Sequence, residues 1–532
     1  MKRLTAAVAV MLAGLLTSSC TADRPAPSED TRVGLVDLRA KPRDEVKNGG
    51  TLTLAATSLP ANWNPVHVDG AVGTAGQILA PTQGSAVRYT ADGSWAVDER
   101  YATSVEQIDD DPVTIEVTLN PDAVWQDGTP ITAADMAAYV KAVQADDRAA
   151  AAPAAFADVD SVDVRDEFTY RVEFKRPTHE WPSAIYPALP ESVSKDADAF
   201  NEGFVDTAIP SNGPFIVASI DGESGTVTLE RNEQWWGAKP KLETIVWRIA
   251  DSALQGEAWK AGELDAVTVT DQNTTTVGDG DLRAVRGRTW SQVTLNGAVA
   301  PFDDRRVRQA VAKAIDPRAF ADQVTEQFGI DAAPMAGVLR VPGQTGVAAK
   351  VPERDVAGAK ELLAEAGVED LEIEVPVQGG RPASAARVQL LSEQLADIGI
   401  TVTTVEVEDA SFFSDVVFPL NFQLVTFVWE AVPFPVSPMR RLFTPKDSNQ
   451  NFTGIEPKEI AEAFTATRSA LDPDERAEAE AALEQAIAKQ ASIIPLAASP
   501  DVWAVKDSVV NYGPTTFRTL DWSRVGFVVG TD

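Results

Sequence analysis

Apolar and polar positions alternate with period two in the first regular segments of the chain. Leu52 and Leu54 alternate with threonines, Val113, Ile115, Val117 and Leu119 alternate strictly, and Tyr170, Val172 and Phe174 repeat the pattern. Each such segment predicts a half-buried strand with one face on a core. Further on the period lengthens. Val307, Ala310, Val311, Ala314 and Ile315 fall at i, i+3, i+4, i+7 and i+8, with Arg305, Arg306 and Arg308 off the stripe, which predicts an amphipathic helix. Ala359, Leu362, Leu363 and Ala366 do the same before Gly367, and Val388, Leu391, Leu395 and Ile398 before Gly399. Glycine in that place ends a helix in the left-handed conformation. Thr132 with Asp135 three residues on gives a capping-box-like start for a helix to Ala145. Asp472-Pro473 opens another, with proline where its missing N–H costs nothing. The stretch after Gly399, Ile400-Thr401-Val402-Thr403-Thr404-Val405, is β-branched, so the second half reads as α/β units. No internal repeat interrupts this order.

At 532 residues the chain exceeds what one hydrophobic core supports and predicts two or three domains. Its start differs from its body. Lys2-Arg3, the apolar run Leu4 to Leu16 and the small residues Thr17-Ser18-Ser19 read as a secretory signal over residues 1–19. The run is shorter than the roughly 20 residues that span a bilayer. Cys20 is the single cysteine and follows the small residues directly, where a lipoprotein signal peptidase would leave an N-terminal cysteine for diacylation. Thr17 occupies the place in which the usual signal has leucine. Residues 20–48, with Pro25, Pro27, Pro42 and many charges, lack apolar periodicity and predict a flexible tether. One cysteine allows no disulfide within the chain.

The 79 acidic residues outnumber the 46 basic ones, for a net charge of −33. Cleavage after Ser19 would remove Lys2 and Arg3 and deepen that excess by two. Such a balance argues against nucleic acid and against anionic lipid as binding surfaces.

Enzyme signatures are absent. His67 and His179 are the only histidines, too few for a multi-histidine metal centre. Neither Gly-x-Ser-x-Gly nor Gly-x-x-x-x-Gly-Lys-Ser/Thr occurs. Ser192-Val193-Ser194-Lys195 matches Ser-x-x-Lys without an accompanying Lys-Thr-Gly. Asp127-Gly128 between an apolar run and a helix cap is a tight turn rather than a carboxylate site. Trp235-Trp236 beside the extended run 242–249 reads as subdomain core. No catalysis, metal or cofactor is expected.

Several ordered motifs resemble one family. "SNGPFIVASIDGESGTVTLERNEQWWGAKPKLETIVWRI" (211–249) and "LNGAVAPFDDRRVRQAVAKAID" (295–316) carry the resemblance furthest, supported by "GGTLTLAATSLPANWNPVHVDG" (49–70) and "VWQDGTPITAADMAAYVKAV" (124–143). "AGAKELLAEAG" (357–367), "LLSEQLADIGITVTTVEVE" (390–408) and "IIPL" (493–496) continue in order. The set is similar to the family 5 solute-binding proteins of peptide importers. That resemblance implies an α/β, two-lobe periplasmic-binding-protein-like fold of the large, peptide-binding type. The first lobe would take residues 49–295 with an inserted subdomain near 87–206, the second 296–495, and 496–532 would return to the first. Crossings near 290–296 and 496–503 would act as hinges.

Ligand residues follow from the resemblance. Asp69 stands where the family places an acidic residue facing the ligand, and Ala71 where main chain contacts it. In "FVWEAVPFPVSP" (427–438), which includes Phe434, Trp429 matches the tryptophan of the family's Trp-x-x-Asp stretch. The aspartate that pairs with a peptide ammonium is replaced by Val432. A buried ammonium stripped of its partner costs roughly 3–5 kcal/mol, so either Glu430 or Asp69 takes over that role, or the ligand has no free amino terminus there. Arg381 and Arg387 lie near where some dipeptide binders keep a carboxylate-binding arginine.

What the resemblance implies is a monomeric extracytoplasmic lipoprotein, held on the outer face of the cell membrane through Cys20. It would capture peptides in an interlobe cleft and deliver them to the permease and ATPase subunits of an ABC importer. Val432 and the proline-rich loop also motivate a second reading: the same fold without import, as a cell-envelope regulator or scaffold, or with a non-peptide solute.

Overall fold

The computed structural model describes residues 33–530, apart from 72, 279, 347–348 and 447–449. The signal segment and Cys20 lie outside the described residues.

The alternating segments near the start form the first lobe. Thr51–Ala56 runs parallel to Thr244–Ile249, and Thr226–Arg231 and Phe215–Asp221 extend that sheet antiparallel. Leu52, Leu54 and Ala56 point into the core while the intervening residues do not. A second antiparallel sheet is ordered Ala102–Asp110, Val113–Leu119, Thr169–Phe174, Val159–Val164. All seven apolar residues of its two central strands named above are fully buried. The helix Ala133–Val143 lies in the same core, and the Asp135 carboxylate accepts the Thr132 N–H at 2.7 Å at its start. Trp235 and Trp236 pack with Tyr101 in this core. Asp127 accepts the Thr129 N–H at 2.9 Å beside Gly128 at φ +85, so Asp127-Gly128 is a tight turn.

The second lobe is built on the antiparallel sheet Ala333–Pro334, Ile493–Ala498, Thr289–Leu295, Leu424–Glu430. The strands Leu371–Gln378 and Ile400–Val407 pair in parallel. They share a core with the helices Arg305–Ala314, Val356–Ala366 and Pro382–Ala396. The stripe Val307, Ala310, Val311, Ala314, Ile315 is buried throughout, and Gly367 ends its helix at φ +70. A further core gathers the helices Val436–Arg440, Lys458–Ser469 and Pro473–Gln490, the last capped by Asp472.

The chain crosses between lobes at residues 286–288 and 499–500. Leu282–Val285 and Asp501–Val505 pair in a first-lobe sheet with Ala266–Thr268, whereas Thr289–Leu295 and Ile493–Ala498 belong to the second. The first crossing therefore precedes residues 290–296. Those residues form a central strand buried on both faces, which leaves them no freedom to act as a hinge. The two crossings touch. A Cβ on Gly287 would lie 2.1 Å from the Ser499 carbonyl oxygen and 2.8 Å from the Asp501 nitrogen, so only glycine fits.

Residues 33–48 are not a free tether. Val36 bridges Thr515, the Asp37 N–H donates to Pro514 O at 3.1 Å, and Val46, 2% exposed, bridges Val528. Single apolar residues such as Val46 give no periodicity, yet they seat the segment by backbone pairing.

Gly287→Ala is expected to destabilise the protein by about 1–3 kcal/mol, the usual cost of forcing atoms into a filled site. Gly222→Ala, where a Cβ meets nothing within 4 Å, should stay within about 0.5 kcal/mol. Urea midpoints of the two variants compare them, and equal midpoints would refute the close crossing.

Candidate ligand cavity between the lobes

Leu424–Glu430 is an edge strand of the second-lobe sheet. Its first four residues are buried, whereas Val428 and Glu430 are exposed. Trp429 turns the other way, stacking on Phe452 at 6.1 Å and meeting Phe427 edge-on. Its Nε1 is buried without a hydrogen-bond partner.

A cavity of about 540 Å³ lies against the outer end of this strand. The first lobe contributes residues 268–271, the crossings contribute Gly287, Arg288, Ser499 and Pro500, and the second lobe contributes the segment from Arg381 to Arg387 with Phe413. Two further carboxylates, Asp271 and Asp501, face it.

Three of its charged groups, Asp271, Arg387 and Asp501, have no ion-pair partner within 4 Å among the described residues. The Asp501 carboxylate accepts one hydrogen bond, from Trp503 Nε1 at 2.8 Å, and burial pushes its carboxyl up to about 6. Arg387 Nε donates to Thr426 Oγ1 at 2.8 Å, and that hydroxyl donates to Gln292 O. Burial pulls the Arg387 guanidinium down to about 10. Both shifts have the same cause, loss of water around a charge. The remaining three are paired: Arg288 with Glu430 at 2.5 Å, and Arg381 with Asp409 at 2.9 Å. Asp271 Oδ2 accepts the Ala383 N–H at 3.2 Å, a bond from one lobe to the other.

Of the residues singled out in the sequence, Glu430, Arg381 and Arg387 line this cavity. Trp429 backs its wall. Val432 lies beyond it, its carbonyl accepting from Gln344 Nε2 at 2.9 Å. Phe434 meets Tyr89 of the first lobe edge-on at 6.0 Å. Asp69 and Ala71 are exposed in a turn anchored by the Val68 N–H to Ala149 O at 2.8 Å, and they do not line the cavity. His67 Nδ1 accepts the Asp69 N–H at 3.1 Å. With its lone pair so used, it offers nothing to the Asp69 carboxylate 3.8 Å away. Asp501, Asp271 and Arg288 were not legible as site residues. They sit at crossings and loop ends, and Ser499-Pro500-Asp501 reads locally as a turn.

The lobes also meet through residues 158–180 of the first lobe. The buried Glu180 carboxylate accepts the Ser437 N–H at 3.1 Å, Asp158 pairs with Arg468 at 2.7 Å, and the His179 N–H donates to Arg468 O at 3.1 Å. Burial pushes Glu180 up to about 7 and His179 down to about 4.

The family model for the bacterial extracellular solute-binding proteins, family 5 (middle), matches residues 96–451. The chain is 30% identical to the oligopeptide-binding protein OppA of Mycobacterium tuberculosis over 549 aligned residues, covering 98% of this chain and 92% of that one. The periplasmic EDTA-binding protein EppA superposes with a TM-score of 0.83 at 22% identity, over 93% of this chain and 99% of its own. The oligopeptide-binding protein AppA of Bacillus subtilis, solved with a nonapeptide, gives 0.73 at 18% identity over 91% and 100%. Both superpositions share the two-lobe α/β fold.

The Asp501 carboxyl is raised from 3.8 to about 6, so the folded state holds a proton there that the unfolded chain has lost. Its contribution to stability therefore falls as pH rises from about 4 to about 6 and stays reduced above. Asp501→Asn keeps an acceptor for Trp503 and should add about 1–2 kcal/mol at pH 7 with no gain at pH 4. Urea unfolding of variant and native protein across this range isolates the group. A difference independent of pH would contradict the assignment.

Proposed function

We propose, since the chain belongs to the bacterial extracellular solute-binding proteins of family 5, that it is an extracytoplasmic receptor capturing short peptides between its lobes. Asp501 and Arg387 carry this reading. They are opposite charges in one cavity, each shifted by burial, and each lacks an ion-pair partner. A zwitterion supplies both missing partners. Its ammonium would meet Asp501 and its carboxylate Arg387, as charge-assisted hydrogen bonds that each contribute about 1.5–3 kcal/mol.

The edge strand suits the same class of ligand. An extended peptide can add to the end of the edge strand where Phe427, Val428 and Glu430 face the cavity, through main-chain hydrogen bonds, with its side chains directed alternately into the cavity. The cavity volume falls within the roughly 300–1,000 Å³ of small-molecule sites. On this reading Asp501 supplies the carboxylate that Val432 does not. Glu430 is held by Arg288, and Asp69 lies outside the cavity.

Binding would shift the population toward closed lobes in proportion to the ligand's preference for that state. The closed receptor would then dock, as a monomer, on the permease of an ABC importer whose ATPase hydrolyses ATP elsewhere. The chain itself would carry out no reaction, and Cys20 would hold it to the outer face of the membrane.

Calorimetry on refolded protein tests the ligand class. Free di- to pentapeptides should bind, and either N-acetylation or C-amidation should weaken them about 10–100-fold. Asp501→Asn should lose affinity for free peptides and be indifferent to acetylation, and Arg387→Gln should be indifferent to amidation. Absence of peptide binding, or equal affinity for free and blocked forms, would overturn the reading. The anchor has its own check: Cys20→Ser should release the protein into the medium, and its retention at the cell surface would count against lipidation.

A further inference from the structure

The contact between residues 154–176 of the first lobe and the second lobe forms a smaller, partly open cavity of about 250 Å³, which shares no lining residue with the cavity beside Leu424–Glu430. Four arginines line it: Arg176 from the first lobe, and Arg440, Arg441 and Arg468 from the second. That concentration of positive charge stands in a chain of net charge −33.

The acidic groups nearby are already engaged. Asp158 spends one oxygen on Arg468 at 2.7 Å and the other on Arg176 at 2.8 Å. Glu180 reaches the cavity only through Ser437, whose N–H and hydroxyl both donate to it. Glu456, which feels the Arg440 charge, accepts from the Thr444 hydroxyl and the Lys446 N–H. Arg440 and Arg441 make no ion pair and no side-chain hydrogen bond among the described residues. Arg468 is 9% exposed, and its Nε is buried with no hydrogen-bond partner.

A buried guanidinium N–H without an acceptor costs free energy, and the single Asp158 carboxylate that lines the cavity leaves four guanidiniums with an excess of positive charge. We propose that this cavity is a second binding site, for a small oxyanion of the phosphate or sulfate type. Such an anion offers several acceptor oxygens to the planar forks of arginine, the geometry in which arginine binds it best. Arg176 and Arg440 come from opposite sides of the contact, so the bound anion bridges the lobes. By linkage it favours closure and raises the affinity of any ligand that also requires the closed form. The site stands apart from the peptide reading and does not rest on it.

Thermal unfolding of the full-length protein tests this with inorganic phosphate, then sulfate, against sodium chloride at matched ionic strength. The expected result is a saturable rise in Tm of at least about 2 °C with phosphate or sulfate and not with chloride. That rise should be lost in Arg440→Gln/Arg441→Gln, whose side chains are not part of any core, and reduced in Arg176→Gln. Strong oxyanions also stabilise proteins generally by exclusion from their surface. An equal rise in native and variant protein would assign the effect to that exclusion and overturn the site, as would no rise beyond chloride in the native protein.

Discussion

The candidate cavity between the lobes depends on two backbone segments passing within contact of each other. Gly287 and Ser499-Pro500 link the first-lobe sheet Ala266–Thr268, Asp501–Val505, Leu282–Val285 directly to the second-lobe sheet Ala333–Pro334, Ile493–Ala498, Thr289–Leu295, Leu424–Glu430. The close approach fixes where the lobes pivot. It also sets Asp501, the first residue after the return crossing, facing the helix that carries Arg387. A side chain at position 287 would separate the crossings and move those two charges apart.

The lobes touch through polar groups rather than through a shared apolar core. The main core clusters lie within one lobe or the other, apart from a few residues at the seam. Asp158–Arg468, Glu180–Ser437 and Asp271–Ala383 bridge the gap instead. Apolar burial between lobes would hold them shut with or without ligand. Buried ionic contacts return much of their Coulombic gain as desolvation cost, so they specify a geometry while leaving closed and open forms near in free energy. A receptor whose ligand must both enter and leave needs that near balance.

Much of the fold was legible because it rests on local periodicity. The strict alternation at Val113–Leu119, the apolar stripe from Val307 to Ile315 and the caps at Asp472 and Gly367 each found their element. The hinge was less legible. Trp290 to Leu295 lacks alternation because both its faces are buried, and such a strand resembles a connecting segment until its neighbours are known. The candidate cavity was half legible. Glu430, Arg381 and Arg387, which line it, sit on regular elements or at their ends. Asp501 and Asp271 become site residues only through chain crossings and loop closure, which local pattern does not encode. Residues 33–48 misled for a related reason. Their order comes from backbone pairing with residues some 480 positions away, and composition records nothing of that.

Net charge gives the wrong picture of where ligands bind. At physiological ionic strength the Debye length is about 8 Å, so the acidic exterior is screened and binding is decided by groups inside the seams between lobes. Those seams hold the arginines: Arg288, Arg381 and Arg387 in one, Arg176, Arg440, Arg441 and Arg468 in the other. Two acidic bodies brought together would repel. Arginines set along their contact lines offset that repulsion: in one seam three of them balance Asp271, Glu430 and Asp501, and in the other four stand against Asp158 alone.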